Sequence, residues 1–193
     1  MTNIEIFESL LQSVKREGIE DLLKFIRKSD FYTAPASTRF HLCVEGGLLQ
    51  HSLNVYDMLA QKKANDGVWK EYLKDISDES IIIVSLLHDL CKTNFYKQEM
   101  RNKKDENGQW IQVPFYTVED KAPMGHGCKS VIMLQSYIKL KREEVYAILH
   151  HMGFSVAKEE YNSVGAAFDM YPLALAVHMA DLEASHLLEG GER

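Results

Sequence analysis

Residues 81–92 read Ile81-Ile82-Ile83-Val84-Ser85-Leu86-Leu87-His88-Asp89-Leu90-Cys91-Lys92. Apolar side chains recur at helical spacing, and His88 shares a stripe with Ile81, Val84 and Cys91. Asp78 stands where it can cap this helix, whose apolar side carries Ile81, Val84, Leu87 and Leu90. Upstream, residues 47–63 read as a second helix with Leu48, Val55, Met58 and Leu59 on one side. His51 follows Leu48 by three and precedes Val55 by four, so it too lies on an apolar stripe.

Working outward, Ile4, Phe7, Leu10, Leu11 and Val14, then Ile19, Leu22, Leu23 and Ile26 after Gly18, predict two short N-terminal helices that end before Ser29-Asp30. Residues 31–45, with Pro35, Ala36, Ser37 and Thr38, have no clean period and read as an ordered loop. Between 95 and 119 the period changes. Aromatic and β-branched residues flank Lys103-Lys104-Asp105-Glu106-Asn107-Gly108, and Asn107-Gly108 is a strong turn signal. Helices resume over 126–140, 142–152 and 171–189. The fold expected is all-α with a small inserted β-hairpin around 95–119. No repeat or linker divides the chain, so 1–193 reads as one domain.

Composition narrows the function. The 193 residues are 46% hydrophobic and 26% charged, which suits a globular domain with a real core. A net charge of −6 gives no global attraction to long nucleic acid or anionic lipid, so an anionic ligand needs a local positive site. Cys43, Cys91 and Cys128 form an odd set without CxxC spacing, as expected of reduced thiols. The first residues, Met1-Thr2-Asn3-Ile4-Glu5, lack the layout of a signal peptide, and no apolar run approaches a membrane span. A cytoplasmic location is expected.

The eight histidines are more informative by placement than by number. His51 and His88 lie on apolar stripes, Asp89 adjoins His88, and Asp181 interrupts an apolar helix four residues after Val177. Any one of these is most simply a hydrogen-bonded core residue. Together, on separate helices, they are explained by convergence on a cation inside the bundle, because a charged Asp facing a core is costly unless paired or metal-bound. Imidazole with carboxylate suits Zn, Fe, Mn or Co, and no thiolate-rich site is present.

The order His51, His88-Asp89, Asp181 resembles the HD-domain superfamily of metal-dependent phosphohydrolases. Gly46-Gly47-Leu48-Leu49-Gln50-His51-Ser52-Leu53 is similar to its first-histidine helix, Leu87-His88-Asp89-Leu90-Cys91-Lys92 to its His-Asp-x-x-Lys motif, and Ala180-Asp181 to its last motif. Pro35-Ala36-Ser37 before Gly46-Gly47, and Tyr116-Thr117-Val118-Glu119 before Gly125-His126-Gly127, are similar to the HD module of YhaM-type 3′-5′ exoribonucleases. The likeness covers roughly residues 30–190, leaving 1–29 as N-terminal helices. Cys91 stands where the family often has Gly, no Glu-Asp pair follows the His-Asp motif, and residues 1–29 are too short and helical for the exoribonucleases' OB-fold.

The resemblance implies one or two divalent transition metals (Fe, Mn, Ni or Zn). His51, His88, Asp89 and Asp181 would hold the first, with Asp89 bridging to a second held by His126 and one of His150 and His151. His150 is favoured there, with His151 a ligand or a phosphate contact. It further implies hydrolysis of a phosphoester in a nucleotide or short oligonucleotide by metal-activated water. Asp89 and Lys92 are the expected catalytic pair. Lys92, one turn beyond Asp89, would also contact phosphate, with Arg39 and Lys129 as weaker phosphate-binding candidates and Arg101, Lys103 and Lys104 of the hairpin as possible guides. His178, three before Asp181, would support a ligand, while His41 and His186 read as structural. The rival functions are a non-hydrolytic nucleotide-binding module and a di-iron oxygenase on the same scaffold. No membrane and no long nucleic acid is expected as a partner.

Overall fold

In the first helix, α1 (Asn3–Ser13), the hydroxyl of Thr2 accepts the Glu5 N–H while the Glu5 carboxylate accepts the Thr2 N–H, a capping box that starts the chain. With α2 (Ile19–Lys28) it lays Phe7, Leu11, Leu22, Leu23 and Ile26 into the core. The computed structural model describes residues 1–65 and 67–190. After a pinned loop come α3 (Gly47–Asn65), α4 (Gly67–Leu73) and α5 (Asp78–Leu87). Ser77, not Asp78, caps α5: its hydroxyl accepts the Ser80 N–H at 3.2 Å, and Asp78 becomes the first helical residue.

Every residue of α5 from Ser80 to Leu87 is buried, which requires protein on all sides. It packs against α1, α3 and the later α7 (Arg142–Leu149). The helix stops at Leu87, and Leu90–Lys92 form a single 3₁₀ turn. His88 and Asp89 therefore sit at a helix end, not on the continuous stripe that the spacing predicts.

The inserted hairpin pairs β1 (Tyr96–Lys104) with β2 (Trp110–Val118) from Tyr96↔Val118 to Lys104↔Trp110. Its turn is tied by Asp105, whose Oδ1 accepts the N–H groups of Asn107 and Gln109 at 2.9 and 2.8 Å. The remaining helices are α6 (His126–Gln135), α7, α8 (Tyr161–Met170) and α9 (Pro172–Glu183), followed by a π-helical turn over Ala184–Leu188. All four differ from the sequence reading. The helix expected over 126–140 ends at Gln135, that over 142–152 ends at Leu149, that over 171–189 gives way to the π turn at Ala184, and α8 has no counterpart in it. The buried apolar residues form one continuous core that includes α1 and α2. Among the described residues no helix is long and apolar enough to cross a membrane.

One ion pair anchors α7. Arg16, between α1 and α2, donates to both Glu144 oxygens at 2.7 and 2.6 Å, and the Glu144 side chain has no exposed surface. Burial alone would push the Glu144 carboxyl up, but the bonds from Arg16, Ser80 and the Lys141 backbone hold it below its usual value. Arg16→Ala should cost about 3–5 kcal/mol in chemical denaturation, because it strands a buried charge. Adding Glu144→Gln to that variant should recover part of the loss, whereas independent additive losses would mean that the pair is not coupled.

Candidate metal centre

Side chains from five helices or helix ends converge around Asp89, a side chain with almost no exposed surface. From α3 comes His51, from the end of α5 come His88 and Asp89, and from α6 and the end of α7 come His126 and His151. Asp181 of α9 closes the group from the side of a cleft. The His126 Nε2 is 2.7 Å from Asp89 Oδ1, and the His151 Nε2 is 3.5 Å from the same oxygen. The Nε2 atoms of His51 and His88 lie 3.7 and 3.5 Å from the other oxygen, Oδ2. His51 Nε2 also faces Asp181 Oδ1 at 3.2 Å and His88 Nε2 at 3.3 Å. The Asp89 carboxylate thus has two imidazoles on each oxygen.

Local backbone geometry makes this convergence possible. Gly127 follows His126, and a Cβ there would stand 2.2 Å from the Leu149 carbonyl oxygen. Only glycine lets the start of α6 come this close to the end of α7, where His150 and His151 leave the helix. The adjacent histidines then diverge. His150 caps α7 and stacks on Tyr146 at a centroid distance of 6.1 Å, outside the cluster. His151 is buried inside it, with an Nε2 that has no hydrogen-bond partner. The preference for His150 in the sequence reading is therefore corrected to His151. It failed because α7 ends before these residues, so helical spacing no longer decides which way they point.

The other ring nitrogens are all held from behind. His88 Nδ1–H donates to the Ser85 carbonyl at 2.9 Å and His151 Nδ1–H to the Ile148 carbonyl at 2.7 Å, each acceptor being three residues earlier. His51 Nδ1 faces the Glu189 carboxylate at 3.0 Å, and His126 Nδ1 lies 3.2 Å from Cys91 Sγ. His178 Nδ1–H donates to the His151 carbonyl at 2.7 Å. With every Nδ1 engaged, the four Nε2 atoms are left to face Asp89.

Electrostatics shows what the cluster demands. Burial pulls His51 down, but the Asp181 and Glu189 carboxylates outweigh it and push its pKa up to about 9. Burial dominates at His88 and lowers it to about 4. One proton therefore sits on His51, between nitrogens and oxygens that would otherwise repel, where a metal ion would supply the same positive charge. Burial opposes ionisation of Asp89 and Asp181, yet Lys92 and nearby histidines hold Asp89, and His51, His88 and His151 hold Asp181, well below the usual carboxylate range. His51, His88 and Asp89 have ligand atoms close enough to share one ion, as do Asp89, His126 and His151, and likewise His88, His151 and Asp181. The residues present fit divalent metal in donor type and spacing.

The Lys92 ammonium lies 2.6 Å from Asp89 Oδ2. It lines a cleft of about 780 Å³ with Asp89, His126, His151 and Asp181. Burial lowers its pKa, but Asp89 more than compensates, so Lys92 is a fixed cation at neutral pH. The other cation candidates are placed elsewhere. Lys129 is bound to Asp120 at 2.5 Å and lies over the Phe95 ring, and Arg39 is exposed with its guanidinium over Phe40. Arg101 and Lys104 cover Phe115 and Trp110 on the hairpin. Cys91 is buried, and burial raises its thiol to about 12, so it is inert at neutral pH.

Two residues were not anticipated. His41, read as structural, lies in the cleft wall with its ring centroid 4.9 Å from that of His51 and its Nε2 4.0 Å from Glu189 Oε2, without a hydrogen bond. Glu189 contacts His51 directly. Neither lies on a periodic helix, so no spacing signal pointed to them.

No family model, curated protein or solved structure matches this chain.

If a metal takes the place of the His51 proton, binding must release it. Apparent affinity for Zn²⁺ should then rise roughly tenfold per pH unit between about pH 6 and 8, all below the pKa of about 9. Calorimetry in buffers of different ionisation enthalpy reads the released proton. Affinity independent of pH would contradict metal ligation by His51.

Proposed function

We propose that this protein is a metal-dependent phosphohydrolase of the HD type, acting on a phosphoester of a nucleotide or short oligonucleotide. The observation that carries the reading is the set of four imidazoles, each fixed through Nδ1 and each turning Nε2 toward one carboxylate. Preorganised ligands backed by hydrogen-bond acceptors are what metal sites require. A core that merely stored histidines would have no need of four rings aimed at one anion.

In this reading His51, His88, Asp89 and Asp181 would hold one ion, and Asp89, His126 and His151 would hold a second. Bound divalent metal supplies Lewis-acid polarisation of a phosphoryl oxygen and lowers the pKa of water. The protein's own groups do the rest. Lys92, held protonated beside Asp89, offers its ammonium to a non-bridging phosphate oxygen and offsets charge that builds there. As a permanent cation it orients and stabilises but takes no proton. Tyr96 lines the same cleft and donates its hydroxyl to the Ala36 carbonyl at 3.3 Å, and burial lifts its pKa to about 12, so it remains a neutral wall. Asp89 and its neighbours are recessed, which limits the water around the reacting centre.

The test is turnover of a panel of mononucleotides, dinucleotides and aryl phosphate mono- and diesters, under argon, with Mn²⁺ or Fe²⁺ supplied. Phosphate or alcohol release should appear without oxygen. Asp89→Ala should lose both metal and turnover. Lys92→Ala should keep its metal and lose on the order of 100-fold in kcat. Product that forms only with oxygen would replace the hydrolase by an oxygenase, and metal-loaded protein without turnover would leave a binding module.

A further inference from the structure

We propose that Glu189 is a positioning residue for the metal centre, tying the C-terminal turn to the orientation and basicity of His51. This rests on the reading of the cluster as a metal site. Of the four cluster histidines, His88 and His151 rest on backbone carbonyls of their own helices, and His126 Nδ1 lies against a neutral thiol. Of these four, His51 is the one that meets a carboxylate through Nδ1, at 3.1 Å from Glu189 Oε1 and 3.0 Å from Oε2.

Glu189 is buried, with a side chain 1% exposed. Its Oε1 accepts from Asn54 Nδ2 at 2.8 Å, and both of its oxygens face His51 Nδ1. An ionised carboxylate can only accept. His51 must therefore keep its proton on Nδ1, and the lone pair at Nε2 is directed toward His88 and Asp181 once the second proton has left. A backbone carbonyl fixes tautomer and ring angle as well. A carboxylate also raises the basicity of the imidazole, and with it the strength of the metal bond.

The position of Glu189 is itself determined. Its N–H donates to the Ala184 carbonyl at 3.0 Å, closing the π turn that follows α9. From the opposite side a relay of amides reaches it. Asn3 Nδ2 donates to Gln50 Oε1 at 2.7 Å, Gln50 Nε2 to Asn54 Oδ1 at 2.8 Å, and Asn54 Nδ2 to Glu189 Oε1 at 2.8 Å. Because each amide oxygen accepts from the previous residue, each amide nitrogen must face the next. Asn54 lies one turn beyond His51 on α3, so the same helix carries the ligand and a clamp on its supporting carboxylate.

The experiment measures Zn²⁺ affinity of the full chain by competition with a chromophoric chelator, and records the histidine ¹⁵N spectrum of the Zn²⁺-loaded protein. Wild type should show His51 protonated at Nδ1. Glu189→Gln should weaken Zn²⁺ binding 10–100-fold and disturb the Nδ1–H signal of His51, since an amide can accept from or donate to that nitrogen. Asn54→Ala leaves the carboxylate in place but unclamped and should give a smaller loss, which keeps the test valid if Glu189→Gln folds poorly. Wild-type affinity with an unaltered His51 signal in Glu189→Gln would overturn the role of Glu189 alone. A wild type that takes up no Zn²⁺ would overturn the metal centre and the role together.

Discussion

A carboxylate shut away from water must be met by positive charge, and Asp89 imposes that condition on its surroundings. Two imidazoles approach each of its oxygens, and the Lys92 ammonium touches one of them. Isolated burial of such an anion would cost many kcal/mol, far more than a domain's net stability can absorb. The helices that carry these groups are therefore constrained in position as well as packed. α5 delivers Asp89 from the core, α3 and α9 bring His51 and Asp181, and α6 and α7 meet at Gly127 so that His126 and His151 can reach the same oxygen.

The same constraint separates structural from chemical parts of the molecule. The Arg16–Glu144 pair lies far along α7 from His151 and is closed on itself, with both carboxylate oxygens satisfied. The cluster around Asp89 is not closed. It leaves the His151 and His41 Nε2 atoms without a hydrogen bond and opens into a cleft. Unsatisfied buried nitrogen is expensive, and its presence beside an anion in a cleft marks a place prepared for something else.

Much of this was legible in the sequence, because period carries direction. His51 on the stripe of Leu48 and Val55, the His88-Asp89 pair after Val84, and Asp181 four after Val177 all read as inward-facing residues. The hairpin followed from Asn107-Gly108. What could not be read lies where the 3.6-residue period stops. His150 and His151 sit just past the end of α7, where only the turn geometry decides which one faces inward. Glu189 follows a π turn that shifts its phase relative to α9. His41 belongs to a loop set by the Ala36 N–H to Leu42 carbonyl bond and a positive φ of 43° at Leu42, a conformation no side-chain pattern announces.

The central claim is that Asp89 and its imidazoles form a metal centre. Anomalous diffraction from crystals soaked in Mn²⁺ tests it most directly. The account predicts signal beside the Asp89 carboxylate, among the His51–His88 nitrogens and the His126–His151 nitrogens. Crystals saturated with Mn²⁺ that show no anomalous peak beside Asp89 would contradict it, and would reduce the cluster to a proton-held network.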